Sequence, residues 1–208
     1  MITGCTGFLG KVILEKVLRT CPDVKKIFVM VRPKRNVEPM ARVKYQILQS
    51  ECFKRLRLIH GKDEFVDWAQ SKIHPIQGDL IIEHLGLSAQ DRAIVTNEVD
   101  VIINSAASVN FDDPLKEALQ INYFGCQRML QLAKECTHLS VFTHISTAYV
   151  NCNRTGYIEE KIYDDHLDQE AIVTSIMAKD DKDVQDNEKK IIGEFPNTYT
   201  FTKNLAEK

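Results

Sequence analysis

Apolar residues recur along the chain with two different spacings, and each spacing predicts its own type of element. Between Phe8 and Thr20 they fall on one broad face of a helix, which ends near the Cys-Pro pair that follows. Lys26–Val31 is a nearly continuous apolar run, as expected of a parallel strand covered on both faces. Later runs predict further strands at Ile73–Ile76, Asp100–Ile103 and Leu139–Ile145.

Helical patterns fill most of the space between these strands. One helix is expected from about Val37 to Leu58, followed by a charged loop that contains Trp68. Ser88 and Asp91 have the spacing of a capping box, which opens a helix that runs to about Glu98.

The second half of the chain begins with a long predicted helix. Asp113 is expected to cap it, with Pro114 as its first helical residue. After Leu139–Ile145 the pattern weakens until Asn197 begins a helix that runs to the end. The stretch Lys179–Lys190 alternates in charge, which favours a solvated face or a mobile loop.

The alternation of strand and helix predicts one doubly wound α/β domain over residues 1–208. Such a domain has a parallel sheet with helices on both faces, joined by right-handed crossovers. The chain carries no internal repeat and no low-complexity linker, and its length suffices for one well-buried core.

Composition narrows the classes of function. The hydrophobic share of 44%, the charged share of 27% and the net charge of -2 are ordinary for a globular protein and give no case for nucleic acid binding. The six cysteines form no C-x-x-C pair and no metal-like cluster with the histidines, so we predict a reduced intracellular protein without a metal site. We expect no secretory leader, and no apolar run in this sequence reaches the roughly 18–20 residues that cross a bilayer.

The first functional motif is the glycine turn Thr3-Gly4-Cys5-Thr6-Gly7-Phe8-Leu9-Gly10. In a dinucleotide-binding turn, Gly4 would allow the tight turn, Gly7 would let backbone N–H groups approach the pyrophosphate, and Gly10 would let the helix pack closely. The alternative is an ordinary turn, since glycines at turns are common. Only Met1–Thr3 precede the first glycine of the turn, Gly4, so we expect a shortened first strand.

The end of the second strand predicts which dinucleotide binds. Arg32 lies where an acidic residue would select NAD and an arginine accommodates the 2′-phosphate of NADP. Lys34 and Arg35 follow, and Glu38 is the first acidic residue after them. These residues favour NADPH, with a surface arginine at a strand end as the alternative.

Other candidate residues share the carboxyl edge of the predicted sheet, where open α/β folds bind ligands. Asp79 and Leu80 follow one strand and are placed to flank the adenine. Ala106 and Ala107 follow the next strand and are small enough to let the chain pass beside the cofactor.

Tyr199 and Lys203 form the second motif, four residues apart on one face of the last helix. A nearby ammonium favours the phenolate and so makes the phenol a usable general acid. Ser146, at the end of a strand, could donate a hydrogen bond to the same carbonyl oxygen.

With these residues the chain resembles the extended short-chain dehydrogenase/reductases, and more closely the alcohol-forming fatty acyl-CoA reductases. The resemblance covers essentially the whole chain. Its motifs are Thr-Gly-x-Thr-Gly-Phe-Leu-Gly-Lys-Val at 3–12, Cys-Pro-Asp-Val at 21–24, Val-Arg-Pro-Lys at 31–34, Ser-Ala-Ala-Ser-Val-Asn-Phe at 105–111 and Ile-Ser-Thr-Ala-Tyr-Val-Asn at 145–151.

The resemblance implies a role for each matching residue. Ser146, Tyr199 and Lys203 match catalytic positions, and Tyr199 and Lys203 also face the cofactor. Asn122 matches an asparagine that helps to place the lysine and a proton-relay water; a polar helix-face residue is the alternative reading. The implied cofactor-binding residues are Thr3, Gly4, Gly7, Phe8, Leu9, Gly10, Arg32, Asp79, Leu80, Ala106 and Ala107.

The implied function is NADPH-dependent reduction of long-chain fatty acyl-CoA to fatty alcohol, with release of coenzyme A, in lipid metabolism. The family's substrate region and membrane-associated C-terminal segment are expected to lie outside this chain, which would therefore be an incomplete reductase domain. Family members face the cytosol at peroxisomal or endoplasmic-reticulum membranes. The alternatives are another extended short-chain reductase or epimerase, or a non-catalytic nucleotide-binding fragment.

Overall fold

The predicted strands form a parallel sheet in the computed structural model, which describes residues 1–163 and 168–208. Strand β1 (Ile27–Val31) pairs with β2 (Ile73–Gln77), and β3 (Val101–Asn104) pairs with β4 (Val141–His144), each in parallel. Met1–Thr3 lie between the two pairs. The N–H group of Ile2 donates to Phe28 O over 2.8 Å, and that of Thr3 donates to Ile103 O over 3.0 Å.

The sheet therefore has the order β2, β1, residues 1–3, β3, β4. All five residues of β1 are buried, as in a strand covered on both faces. The apolar run Asp100–Ile103 also predicts a buried strand, and this prediction was wrong at the start of β3, where Val101 is 42% exposed. The predicted parallel α/β fold is confirmed.

The sheet belongs to the first of two compact units, which contains residues 1–106 and 128–145. Leu14 and Leu18 of the first helix and Phe53 and Phe65 of later ones pack in its apolar core with β1. Its helices are α1 (Phe8–Thr20), α2 (Pro39–Arg42), a π-helical segment (Val43–Leu48), a 3₁₀ turn (Glu51–Phe53), α3 (Lys54–His60), α4 (Lys62–Lys72), a 3₁₀ turn (Glu83–Gly86), α5 (Ala89–Glu98) and the end of α7 (Gly125–Glu135).

Two predictions for this unit were wrong. The single helix expected from Val37 to Leu58 is broken, and Arg57 donates to the carbonyl oxygens of Leu48 and Ser50 at the break, over 2.8 and 3.0 Å. The guanidinium thus satisfies carbonyl groups where the chain turns, and the Ser50 oxygen also accepts from Phe53 N over 3.1 Å. The charged loop around Trp68 is instead helix α4, whose apolar face was obscured by its many charges.

The second unit contains residues 107–127 and 146–208. Its apolar core includes Leu119, Val173, Val184, Phe201 and Leu205, and these come from most of its helices. The helices are α6 (Leu115–Leu119), a π-helical segment (Gln120–Phe124), the start of α7, α8 (Gln169–Met177), α9 (Asp181–Ile192) and α10 (Thr198–Glu207).

The weak pattern between residues 146 and 197 hid two helices. The mobile-loop interpretation of Lys179–Lys190 was wrong, because most of this stretch is α9. Asp180 caps that helix by accepting a hydrogen bond from Lys182 N over 2.9 Å, and Val184 is buried while the charged residues form a solvated face.

The predicted start of the long helix was wrong by one residue. Pro114 is its N-terminal cap, and the helix begins at Leu115. The carboxylate of Asp113 instead accepts hydrogen bonds from the Ser108 hydroxyl and, over 2.6 Å, from the Asn110 amide. In the part of the chain that the structure describes, no helix is both long and apolar enough to span a bilayer.

Candidate functional site

The glycine turn leaves no space for side chains at two of its glycines. Gly4 has a φ of 76°, and a Cβ there would lie 2.9 Å from Ala106 N. A Cβ on Gly10 would overlap the Gly4 carbonyl and lie 2.7 Å from Cys5 N. The turn therefore requires glycine at both positions, which brings α1 close against the strand that precedes it.

The N-terminus of α1 is suited to bind an anion. Gly7 is its cap residue, and no side chain among the described residues caps this end. The first backbone N–H groups and the positive end of the helix dipole are thus available to a phosphate group. Phe8 is 86% exposed and Leu9 44%, so both predicted contact residues are accessible.

Thr3 forms a buried hydrogen-bonded link below this turn. Its hydroxyl donates to Asn104 Oδ1 over 2.8 Å and accepts from the backbone N–H groups of Ser105 and Ala106 at 3.1 and 3.0 Å. Asn104 Nδ2 in turn pairs with His144 Nδ1 at 3.2 Å. Thr3 thus holds the Ser105–Ala106 backbone against the turn, and its hydroxyl is occupied within the protein.

Asn104 and His144 were missed in the sequence analysis. Each ends a strand of the parallel sheet. A polar residue at the carboxyl end of a parallel strand is a signal that could have found both.

Arg32 lies exposed directly after β1. Arg42, which was also missed, donates from its guanidinium to the Arg32 carbonyl oxygen and to Gln46 Oε1, the latter over 3.1 Å. The structure thus adds a second guanidinium at the end of β1, carried there by α2, which starts at Pro39 and ends at Arg42.

The loop after β2 holds the predicted adenine-flanking residues. The carboxylate of Asp79 accepts a hydrogen bond from Ile81 N at 3.2 Å, and Asp79 N donates to Leu85 O over 2.8 Å. Leu80 is only 6% exposed, and its carbonyl oxygen accepts from Arg128 Nη1 over 2.8 Å. Of this pair only the half-buried Asp79 presents a polar side chain at the sheet edge.

The predicted catalytic residues all lie in the second unit, and helix α10 carries two of them. Asn197 caps the helix by accepting from Thr200 N over 2.9 Å. Tyr199 and Lys203 follow one turn apart. Lys203 is 1% exposed, and this burial lowers the pKa of its amine from 10.5 to about 8.

Asn122 connects α10 to the segment after β3. It lies in the π-helical turn and is 3% exposed. Its Oδ1 accepts from Ser108 N at 2.9 Å, and its Nδ2 donates to Ser108 O over 3.2 Å and to Thr202 Oγ1 over 3.0 Å. Thr202 is the residue before Lys203, so Asn122 fixes the backbone on which the lysine stands.

The Ser146 hydroxyl is buried and has no hydrogen-bond partner among the described residues. A buried hydroxyl without a partner costs free energy, which a ligand oxygen can recover. The loop after Ser146 is held to α10 by Asn204, whose Nδ2 donates to Val150 O over 2.9 Å.

The candidate residues thus divide between the two units. Ser146, Asn122, Tyr199 and Lys203 lie in the second, together with Ala107. The first contains Thr3, Gly4, Gly7, Phe8, Leu9, Gly10, Arg32, Asp79, Leu80 and Ala106.

Comparison with known proteins adds independent findings. The family model of an NAD-binding domain described as "Male sterility protein" matches residues 2–208. Fatty acyl-CoA reductase 1 of Xenopus laevis is 41% identical and that of Rattus norvegicus 42% identical, each over 207 residues that cover 100% of this chain and 39% of the relative. The chain thus spans about two fifths of the length of these relatives.

A solved structure, the terminal R domain from the myxalamid PKS-NRPS biosynthetic pathway, superposes with a TM-score of 0.65. It is 23% identical, and the match covers 99% of this chain and 42% of that one. At this identity the likeness shows the fold alone.

Proposed function

Because the chain belongs to the fatty acyl-CoA reductases of the NAD-binding male sterility family, we propose that it reduces long-chain fatty acyl-CoA to fatty alcohol with NADPH and releases coenzyme A. The observation that carries this proposal is the buried Lys203 amine, one helical turn after Tyr199. Burying an amine is costly, and a cation beside a phenol is what a proton donor to a carbonyl oxygen requires.

The first unit fits the cofactor. The pyrophosphate would bind at the N-terminus of α1 and at the glycine turn before it, where Gly4 and Gly10 carry no side chains. Arg32 would pair with the 2′-phosphate. When bound, NADPH supplies the hydride for each reduction.

The second unit supplies the proton chemistry. Ser146 would donate a hydrogen bond from its buried hydroxyl to the carbonyl oxygen of the thioester, which stabilises negative charge as it develops there. Tyr199 would donate its phenolic proton to the same oxygen, and Lys203 would stabilise the phenolate that results. After the first hydride transfer, the hemithioacetal would return its hydroxyl proton to the Tyr199 phenolate as its C–S bond breaks, so that the thiolate of coenzyme A leaves and an aldehyde forms. After the second hydride transfer, Tyr199 would protonate the alkoxide to the alcohol and recover its own proton from solvent.

Substitutions of Ser146 and Tyr199 should lower kcat by different factors. One donor to an oxyanion is worth about 2.7–4 kcal/mol, so Ser146→Ala is expected to lower kcat about 10²- to 10³-fold. Tyr199→Phe removes the proton as well as a hydrogen bond and is expected to lower kcat at least as much.

The test is NADPH oxidation at increasing concentrations of a long-chain acyl-CoA, with the products identified by mass spectrometry. We expect acyl-CoA-dependent oxidation that yields the alcohol. Tyr199→Phe should lower its rate at least about 10²-fold and leave a small residual rate. The matched variant Tyr45→Phe should retain the full rate, because Tyr45 lies exposed in the other unit. Oxidation that a sugar nucleotide stimulates and acyl-CoA does not would replace the proposal with that of another extended short-chain reductase.

We also propose a cytosol-facing location at a peroxisomal or endoplasmic-reticulum membrane. This proposal is supported by the family resemblance. Fractionation of cells that express the protein tests it: recovery in the peroxisomal or endoplasmic-reticulum fraction, with sensitivity to protease added outside the organelle, is expected. Recovery in another compartment would contradict it.

A further inference from the structure

A short loop, residues 108–113, is organised in unusual detail within the second unit. The carboxylate of Asp113 accepts from the Ser108 hydroxyl and from the Asn110 amide, and Asp112 N donates to Asn110 Oδ1 over 3.3 Å. The backbone at Ser108 is held in addition by Asn122. These bonds fix the loop between two anchored ends.

The loop is also tied to the first turn of α10. Thr198 Oγ1 donates to Asp113 O over 2.8 Å and approaches Phe111 O at 3.4 Å. Thr198 is the residue before Tyr199 and is 1% exposed. The backbone that carries Phe111 is therefore held against the backbone that carries Tyr199.

Phe111 uses this anchoring to place its ring on the Tyr199 ring. The two centroids are 5.5 Å apart, and the ring planes make an angle of 29°. This is the offset-stacked range that aromatic pairs favour. Yet Phe111 is 51% exposed, so burial in the apolar core does not explain why the loop holds it there.

We propose that Phe111 is a positioning residue for Tyr199, which keeps the phenol in the one orientation that can donate to the substrate oxygen. The inference rests on the proposed function and goes beyond the residues that the reaction itself uses. A tyrosine at the start of a helix has several rotamers that point away from its neighbours. A ring packed along one of its faces excludes those that turn the phenol towards the loop.

The decisive experiment is a double-mutant cycle of Phe111→Leu and Tyr199→Phe. We expect Phe111→Leu to lower kcat about tenfold to a hundredfold, as misplacement of a catalytic group does, with the Kd for NADPH unchanged. In the Tyr199→Phe background the same substitution should change the residual rate by less than about twofold, because no phenol is left to orient.

Control variants separate this role from general damage. Phe111→Tyr keeps a stacking ring and should retain most of the wild-type rate. Tyr45→Leu removes an aromatic of similar exposure in the other unit and should leave kcat unchanged. Equal losses from Phe111→Leu in both backgrounds would overturn the proposal.

A second measurement does not depend on turnover. In protein labelled with 3-fluorotyrosine, the ¹⁹F resonance that disappears in Tyr199→Phe belongs to Tyr199. We expect Phe111→Leu to shift and sharpen this resonance as the ring gains motion, and Phe111→Tyr to leave it close to its wild-type position. A Tyr199 resonance that does not respond to Phe111→Leu would refute the positioning role. Absence of acyl-CoA reduction in the wild type would instead refute the proposed function.

Discussion

At the scale of single residues, the glycines of the first turn look alike in the sequence and differ in the structure. The backbone of the turn leaves no volume for a Cβ at Gly10, whereas a Cβ at Gly7 would lie 3.3 Å from the Gly4 oxygen. Gly7 also has a φ of -85°, which any residue can adopt. The glycine spacing predicts the turn, but it contains no information on which glycine is sterically required.

This difference predicts unequal costs. Gly10→Ala should destabilise the protein by about 1–3 kcal/mol, because overpacking must displace the backbone of Gly4 and Cys5. Gly7→Ala should cost less than about 1 kcal/mol, since its neighbour needs to move only slightly. Urea denaturation of both variants checks the prediction, and equal midpoints would contradict it.

Lys203 gives the stability a predictable pH dependence. Its pKa is about 8 in the folded protein and about 10.5 when unfolded, so the unfolded chain binds more protons between these values. The free energy of unfolding is therefore expected to gain from this residue as pH rises from about 8 towards about 10.5.

Denaturant titrations of the wild type and of Lys203→Met across this range isolate the contribution. Other titrating groups cancel in the difference between the two proteins. The wild type should become more stable relative to the variant as pH rises. A difference in stability that stays constant with pH would show that the pKa of the Lys203 amine is not lowered in the folded protein. The burial that causes the effect was not readable from the Tyr-Lys spacing, since neighbours distant in sequence create it.

At the scale of elements, the sequence predicted helices such as α5, whose start is marked by a local signal from a capping residue. Ser88 caps α5 as its spacing with Asp91 predicts, with Ser88 Oγ accepting from Asp91 N over 3.0 Å. The helices α4 and α9 were missed because their charged residues outnumber the apolar ones, whereas α8, with Glu170 as its one charged residue, was missed within a segment whose overall pattern is weak. Their helical state depends on the burial of apolar residues such as Phe65 of α4 and Val184 of α9 in cores whose other members lie far away in sequence, which the local pattern does not identify.

Two helix caps offer a matched comparison. Asn197→Ala and Ser88→Ala each remove one side-chain cap and should each cost about 1 kcal/mol of stability. Only Asn197 caps the helix that carries Tyr199 and Lys203. Acyl-CoA-dependent NADPH oxidation should therefore fall in Asn197→Ala and not in Ser88→Ala. Equal rates in the two variants would mean that the start of α10 tolerates fraying.

At the scale of the whole molecule, the alternation of elements was enough to predict the parallel α/β fold, and the motifs were enough to predict the family. The sequence could not predict which polar groups, far apart along the chain, form hydrogen bonds with each other. Arg42 at the end of α2 reaches the Arg32 carbonyl after β1, and Asn104 joins Thr3 to His144 across strands. Such pairs depend on register and on loop path, which no local pattern encodes.

Cofactor choice is a property of the whole molecule that can be measured. Arg32→Ala should raise the Kd for NADPH about tenfold, the value of one hydrogen bond to a charged group, and change the Kd for NADH much less. Arg55→Ala, an exposed arginine on α3, is the matched control and should change neither. Fluorescence titration measures all of these constants. If Arg32→Ala weakened the binding of NADPH and NADH equally, Arg32 would not be the residue that recognises the 2′-phosphate.

The central position of residues 1–3 in the sheet also sets when the protein can fold during its own synthesis. Thr3 hydrogen-bonds to Asn104, a separation of 101 residues. A ribosome that adds about 5–20 residues per second needs about 5–20 s to supply that partner. Throughout this interval the glycine turn has a strand on one side at most, so the cradle for the dinucleotide is completed late. Residues 1–3 are thus translated well before the last of their sheet partners, and they are among the last residues of the sheet to complete their hydrogen bonds.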